Sequence, residues 1–182
     1  MKNFQYLKKS AGFTLIELLL YIAVLTIIIS SVVIFSSWAI KAGTKTKINA
    51  SVVNNARQAT DTIIYEIRKS KGVYTPTSNF TGHPGQLSLE QASLDPTETA
   101  TYIDFFLCGD SLCLKREDAD PITITSSEVK ISNLQFRQLL NSATAPSIQI
   151  LMVIESLSSE RPEDSASMTI QATANLRSYQ ND

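Results

Sequence analysis

Between Phe13 and Ile40 the chain runs for 28 residues, 21 of them apolar, with no glycine or proline and with Glu17 as its one charge. At ~1.5 Å per residue such a run makes a helix of about 42 Å, longer than the ~30 Å hydrocarbon core of a bilayer. The β-branched runs Ile27-Ile28-Ile29 and Val32-Val33-Ile34 are mediocre helix formers in water. Lipid reverses that weakness, because it leaves backbone groups no partner outside the helix itself. The run is therefore read as a membrane segment, and any globular fold has to be built from the rest.

The 182 residues carry a formal net charge of −1, and 43% of them are apolar. The near-neutral average hides four unlike segments. Residues 1–12 carry +3, residues 13–40 carry −1, residues 41–72 carry +5 and residues 73–182 carry −8. No bulk basic charge points to nucleic acid, and none is expected as a partner. The apolar residues left outside the membrane run suffice for one modest core after position 72, within the usual range for a domain.

A secretory signal peptide has an apolar stretch of only ~7–15 residues, so this one is about twice too long. Charge does not orient a plain anchor either, since Lys2, Lys8 and Lys9 on one side face Lys41, Lys45 and Lys47 on the other.

The junction Lys8-Lys9-Ser10-Ala11-Gly12-Phe13-Thr14-Leu15-Ile16-Glu17-Leu18 supplies the orientation. It resembles the N-terminal signature of type IV prepilins and pseudopilins, a short basic leader ending in glycine followed by Phe-Thr-Leu-Ile-Glu at the head of a long apolar helix. The resemblance implies that a prepilin peptidase cuts between Gly12 and Phe13 and that Phe13 becomes the N-methylated first residue. It implies a leader (residues 1–12) on the cytoplasmic side, a single pass through the bacterial cytoplasmic membrane and an outer C-terminal domain. Its implied partners are the peptidase, other pilin or pseudopilin subunits, a membrane platform protein and, indirectly, an assembly ATPase. After assembly the subunit would lie in an extracytoplasmic filament.

The residues carry their own physics. Gly12 lets a peptidase hold the chain extended just before a helix begins. Glu17 is costly inside a membrane span and needs a partner. The first-turn helix dipole favours it by ~0.3–1 kcal/mol. The alternative is the new amine that cleavage creates on Phe13 of a neighbouring subunit, which would neutralise two charges at once and fix subunit register. Major pilins of the family commonly have a proline where this chain has Ile34, so the resemblance is to a minor pilin or minor pseudopilin.

Beyond Ile40, residues 41–72 continue as an amphipathic helix. Ile48, Val52, Ala56, Ala59, Ile63 and Ile67 form an apolar stripe, and Lys-Ser-Lys-Gly at 69–72 ends it. If straight from Phe13 to Ser70, the helix would span ~87 Å. Residues 73–85 read as a Gly/Pro/Ser/Thr loop. Strand-like runs follow at 86–90, 102–107, 112–115, 122–125, 131–136, 148–155 and 168–176, with Ser158 to Ser167 as a polar loop. No βαβ alternation occurs, so the sheet in residues 73–182 is expected to be mostly antiparallel. The fold class is α+β, pilin-like: a long N-terminal helix packed on a C-terminal antiparallel sheet.

Cys108 and Cys113 flank a Gly109-Asp110 turn. A hairpin brings them within disulfide reach, while two reduced thiols or half a metal site are the rivals. Catalytic chemistry finds little footing. His83 is the only histidine, placed in a Gly/Pro loop, and reads as a solvated loop residue rather than a triad member. Glu117, Asp118 and Asp120 read as a solvated turn before Pro121 rather than a cation loop. No cofactor, metal or catalytic residue is expected. The sequence thus predicts a structural filament subunit. The contrasting possibility is a permanently anchored single-pass protein with an extracytoplasmic ligand-binding domain.

Overall fold

A computed structural model of the chain describes residues 12–93, 99–139, 146–157 and 165–176. The leader up to residue 11 and residues 158–164 of the expected polar loop lie outside the described residues. The chain divides into two compact units, the first ending at Gly43 and the second beginning at Thr44. Helix α1, Leu15–Lys69, contributes to both.

In the first unit every residue of α1 is exposed, and the large apolar side chains from Phe13 to Ile40 are 47–79% exposed. Transferring such a surface to water is unfavourable by ~25 cal/mol per Å², so it requires lipid or other protein around it.

The second unit holds the core. The distal part of α1 lays Val52, Ala56, Ala59, Ile63 and Ile67 into it, each at most 1% exposed. These are five of the six stripe positions, and Ile48, at the start of the stripe, is half-buried. Alanines at 56 and 59 remove bulk from the middle of the packed face, letting sheet side chains approach the backbone. The helix ends as Ser70 N–H turns back to Ile67 O (3.1 Å) and Lys71 N–H is taken by Glu90 O (2.8 Å). Arg68 and Lys69 occupy the last turn, where cations meet the negative end of the helix dipole.

Two antiparallel sheets replace the single sheet expected from sequence. The first has five strands in chain order: β1 (Gly72–Val73), β2 (Leu87–Gln91), β3 (Thr101–Cys108), β4 (Ser111–Arg116) and β5 (Ile122–Thr123). The second has three: β6 (Val129–Leu139), β7 (Ser147–Ser156) and β8 (Ser167–Asn175). The break falls at Ser126, whose N–H is held by Asn55 Oδ1 of α1 at 2.7 Å instead of by a sheet neighbour. The strand expected over 122–125 shortens to two residues, but Ile124 N–H still bonds to Leu112 O (2.8 Å) and Thr125 Oγ1 accepts from Leu112 N–H (3.1 Å).

Strand β7 shows the clean period of two that burial on one face demands, with Ile148, Ile150, Met152 and Ile154 all fully buried. Strand β6 changes parity midway. Val129 and Ile131 point inward, then Leu134 and Phe136 do, because a bulge between Ile131 and Asn133 absorbs the extra residue. The expected 73–85 loop is partly ordered: Val73 pairs with Leu89, and Asn79 bridges Gln86. Where that loop crosses β6, Gly85 N–H bonds Leu134 O at 2.8 Å. A Cβ on Gly85 would lie 3.0 Å from that carbonyl and 3.2 Å from the Phe136 ring, so glycine is what permits the crossing.

Candidate functional site

The first unit begins with a built helix start. Thr14 Oγ1 accepts the Glu17 N–H at 3.4 Å, and Thr14 O accepts the Leu18 N–H at 3.2 Å. Thr14 is therefore the N-cap and Glu17 the third residue of the helix, the Thr-x-x-Glu spacing of a capping box. Sequence reasoning singled out Glu17 and passed over Thr14, although that spacing was there to be read. Phe13 stands just outside the cap, 76% exposed, with its ring edge-on to Tyr21 at 6.3 Å. Gly12, Phe13 and Glu17 thus occupy one exposed end, and the Glu17 carboxylate has no hydrogen-bond or ionic partner among the described residues.

Four hydroxyls inside the apolar run are satisfied within the helix. Thr26 donates to Ala23 O (2.8 Å), Ser30 to Thr26 O (2.7 Å), Ser31 to Ile28 O (2.7 Å) and Ser37 to Val33 O (2.9 Å). Each of these four hydroxyls bonds a carbonyl three or four residues back, which removes four free donors from the lipid-facing surface. Glu17 is the one charged group in the run and so the costliest to bury there without a partner. Among the described residues α1 is the one helix long and apolar enough to cross a membrane.

In the second unit, Cys108 and Cys113 are joined as a disulfide across the β3–β4 hairpin, with Cα atoms 5.9 Å apart. Cys108 pairs in register with Ser111 and Cys113 with Phe106, so the bridge runs diagonally on one face over the turn at Gly109, whose φ is 63°. The pair lies in the second unit, the head of the subunit.

Sequence reasoning missed the charged group at the far end of α1. Glu66 is 2% exposed, yet its carboxylate takes hydrogen bonds from Arg116 of β4 and from Gln91 Nε2 of β2 (2.7 Å). Gln91 also reaches Ser70 Oγ at 3.3 Å, and Ser70 donates to Glu66 O at 2.6 Å. Spacing gave a weak signal, since Glu66 falls next to Ile67 on the apolar face. On the other sheet, the Ser132 hydroxyl (2.9 Å) and then the Lys130 ammonium (3.2 Å) hold the Glu155 carboxyl below its ordinary pKa.

His83 is exposed, but it is not merely solvated: its Nδ1 accepts the Leu134 N–H at 3.0 Å, beside the bulge in β6. Glu117, Asp118 and Asp120 lie on an exposed turn closed by Ala119 N–H to Arg116 O (2.8 Å), and the Glu117 carboxylate accepts from Thr101 at 2.6 Å. Among the described residues no three His, Cys, Asp or Glu side chains gather as a metal site.

Residues 7–33 match the prokaryotic N-terminal methylation motif, so the segment carries the type IV prepilin signature. That signature marks a pilin-like substrate of prepilin peptidase, which assembles with other pilins, and it sits on the exposed apolar helix described above. No curated protein and no solved structure matches the chain.

Proposed function

We propose that the chain is a minor pilin or pseudopilin: a non-enzymatic subunit held in the cytoplasmic membrane with its N-terminus inside, processed after Gly12, methylated on Phe13 and drawn into a filament. The filament is a type IV pilus or a secretion or competence pseudopilus. A membrane platform protein and a cytoplasmic ATPase supply the extraction. One observation carries this reading: the methylation motif at 7–33 opens directly onto a helix whose side chains stay exposed from Phe13 to Ile40. A lipid anchor alone explains the greasy surface. A surface that is apolar all round and begins with a cappable Glu17 also suits transfer from lipid to a bundle of identical helices.

In the filament, Glu17 of one subunit pairs with the methylated amine of Phe13 on its neighbour. Two charges are neutralised in an apolar interior, and a misregistered subunit would bury both uncompensated. The minor role is favoured by Ile34, which leaves α1 unbroken where major subunits commonly carry proline. Shearing tests the assembly. A filament subunit appears in the sheared, pelletable fraction at a small share of the major subunit, whereas a permanent anchor stays wholly in the membrane fraction.

A further inference from the structure

Among the described residues the head has four sheet edges, and three are blunted. Strands β1 and β5 are two residues long. The outer side of β6 carries the bulge and is occupied by Asp110 O on Ile131 N–H (2.7 Å), by Gly85 N–H on Leu134 O and by His83 on Leu134 N–H. Strand β8 has none of these defences. It pairs with β7 in nine consecutive registers without a bulge, and Ser-Met-Thr-Ile-Gln-Ala-Thr-Ala-Asn contains no charge and no proline. An edge of that kind is a template for a further strand.

The direction of its free groups follows from the pairing. Ser156 N–H bonds Ala166 O (2.8 Å) and Leu176 N–H bonds Pro146 O (3.1 Å), so even-numbered residues of this stretch turn their backbone toward β7. The odd-numbered residues Ser167, Thr169, Gln171, Thr173 and Asn175 turn theirs outward, and among the described residues nothing bonds to that row. Their side chains are also the exposed ones.

The strand is complementary to itself. In an antiparallel pair centred on Gln171, Thr169 stands opposite Thr173 and Ser167 opposite Asn175, with Gln171 facing its own copy. On the inward face Met168 meets Ala174 and Ile170 meets Ala172, large against small each time. Threonine pairs stabilise cross-strand contacts, and no like charges meet. Strand β7 behind it contributes only Glu155, which lies beside Ser167 and so at one end of the pair. The outward odd-numbered row would make about ten new backbone hydrogen bonds in this register.

We propose that β8 is a docking edge for a second copy of this chain, joining two heads through one continuous six-stranded antiparallel sheet. The inference does not depend on cleavage at Gly12 or on filament assembly.

The described cysteines are both committed to the Cys108–Cys113 bridge, so one added thiol on the full-length membrane protein is a clean reporter. Opposed residues of a hydrogen-bonded antiparallel pair have Cα atoms ~5.5 Å apart, within the ~4.4–6.8 Å that a disulfide spans. Gln171→Cys is expected to yield, on mild oxidation in membranes, roughly tenfold more self-linked dimer than Asp118→Cys on the exposed turn. A charge pair separates edge pairing from loss of folding. T169K/T173K places lysine opposite lysine in both halves and abolishes the dimer of the detergent-solubilised chain, whereas T169K/T173E places lysine opposite glutamate and retains it. Cross-linking of Gln171→Cys at the level of Asp118→Cys, its linkage to a different protein, or equal behaviour of the two charge variants would each overturn the proposal.

Discussion

Arg116 at the end of β4 donates to the carboxylate of Glu66, a side chain 3% exposed on the face of α1 that packs into the head. The two are 50 residues apart in sequence, and Gln91 of β2 completes the site. A carboxylate there would be expensive alone. With Arg116, Gln91 and the Ser70 hydroxyl it becomes a polar latch between the last helical turns and the five-stranded sheet.

Removing Arg116 should expose that cost. Arg116→Ala leaves a buried carboxylate short of its cationic partner and is expected to destabilise the head by about 1–3 kcal/mol, the lower end favoured because Arg116 is itself half-exposed and screened. Denaturant unfolding of the detergent-solubilised chain reads this. Glu66→Leu combined with Arg116→Met should recover most of the loss, and a double variant as unstable as Arg116→Ala would show that the latch does more than balance a charge.

The apolar stripe makes a plainer prediction. Ile63 is fully buried between helix and sheets, so Ile63→Ala should cost about 2–5 kcal/mol, with Ile48→Ala, half-buried at the stripe's start, well below that. Comparable losses at the two positions would contradict the packing described.

The disulfide closes a short loop, five residues apart in sequence. On loop-closure entropy its reduction should lower stability by about 2 kcal/mol. The hairpin should survive, because its turn and six registered pairs are independent of the bridge. Melting of the oxidised and reduced chain provides the comparison, and collapse of the head on reduction would contradict it.

Glu155 gives a sign for acid. Its carboxyl titrates below the ordinary value in the folded chain, first through Ser132 and then through Lys130. The unfolded chain therefore binds the proton more readily, and stability rises with pH through that window. The contribution is complete above the ordinary carboxylate pKa of about 4.3 and is lost as pH falls through the lower folded value. Glu155→Gln should flatten this part of the pH–stability curve, and an unchanged slope would exclude it.

Much of the fold was legible because burial imposes a period. The spacing from Val52 to Ile67 announces a helix face, and the alternation from Ile148 to Ile154 announces a half-buried strand. The β6 bulge was visible only as a slip in parity from Ile131 to Leu134, which a strict period of two reads as an interrupted strand. The latch at Glu66, the His83 acceptor and the split into two sheets were not legible. Each depends on side chains brought together across 50 residues or more, which local pattern does not encode. At the N-terminus the reverse held. Gly12, Phe13 and Glu17 stood out as chemistry at fixed spacing, and the structure added Thr14 as the cap that positions Glu17.

That cap frames the assembly prediction. Glu17→Ala keeps the Thr14 hydrogen bond, which uses the backbone of residue 17, so insertion and processing should persist. Incorporation into the sheared filament fraction should fall at least about tenfold, in line with a charge left unpaired in an apolar interior. Normal incorporation would dispose of the pairing with the neighbouring amine.

The central claim is that this chain is a prepilin-type substrate, and mass spectrometry of the N-terminal peptide of the membrane-purified protein tests it most directly. The account predicts a mature chain that starts at Phe13 with a methylated amine, and a chain still joined through Gly12 in cells lacking the peptidase. A protein that keeps Met1 in peptidase-positive cells, or is cut at any other bond, would contradict it.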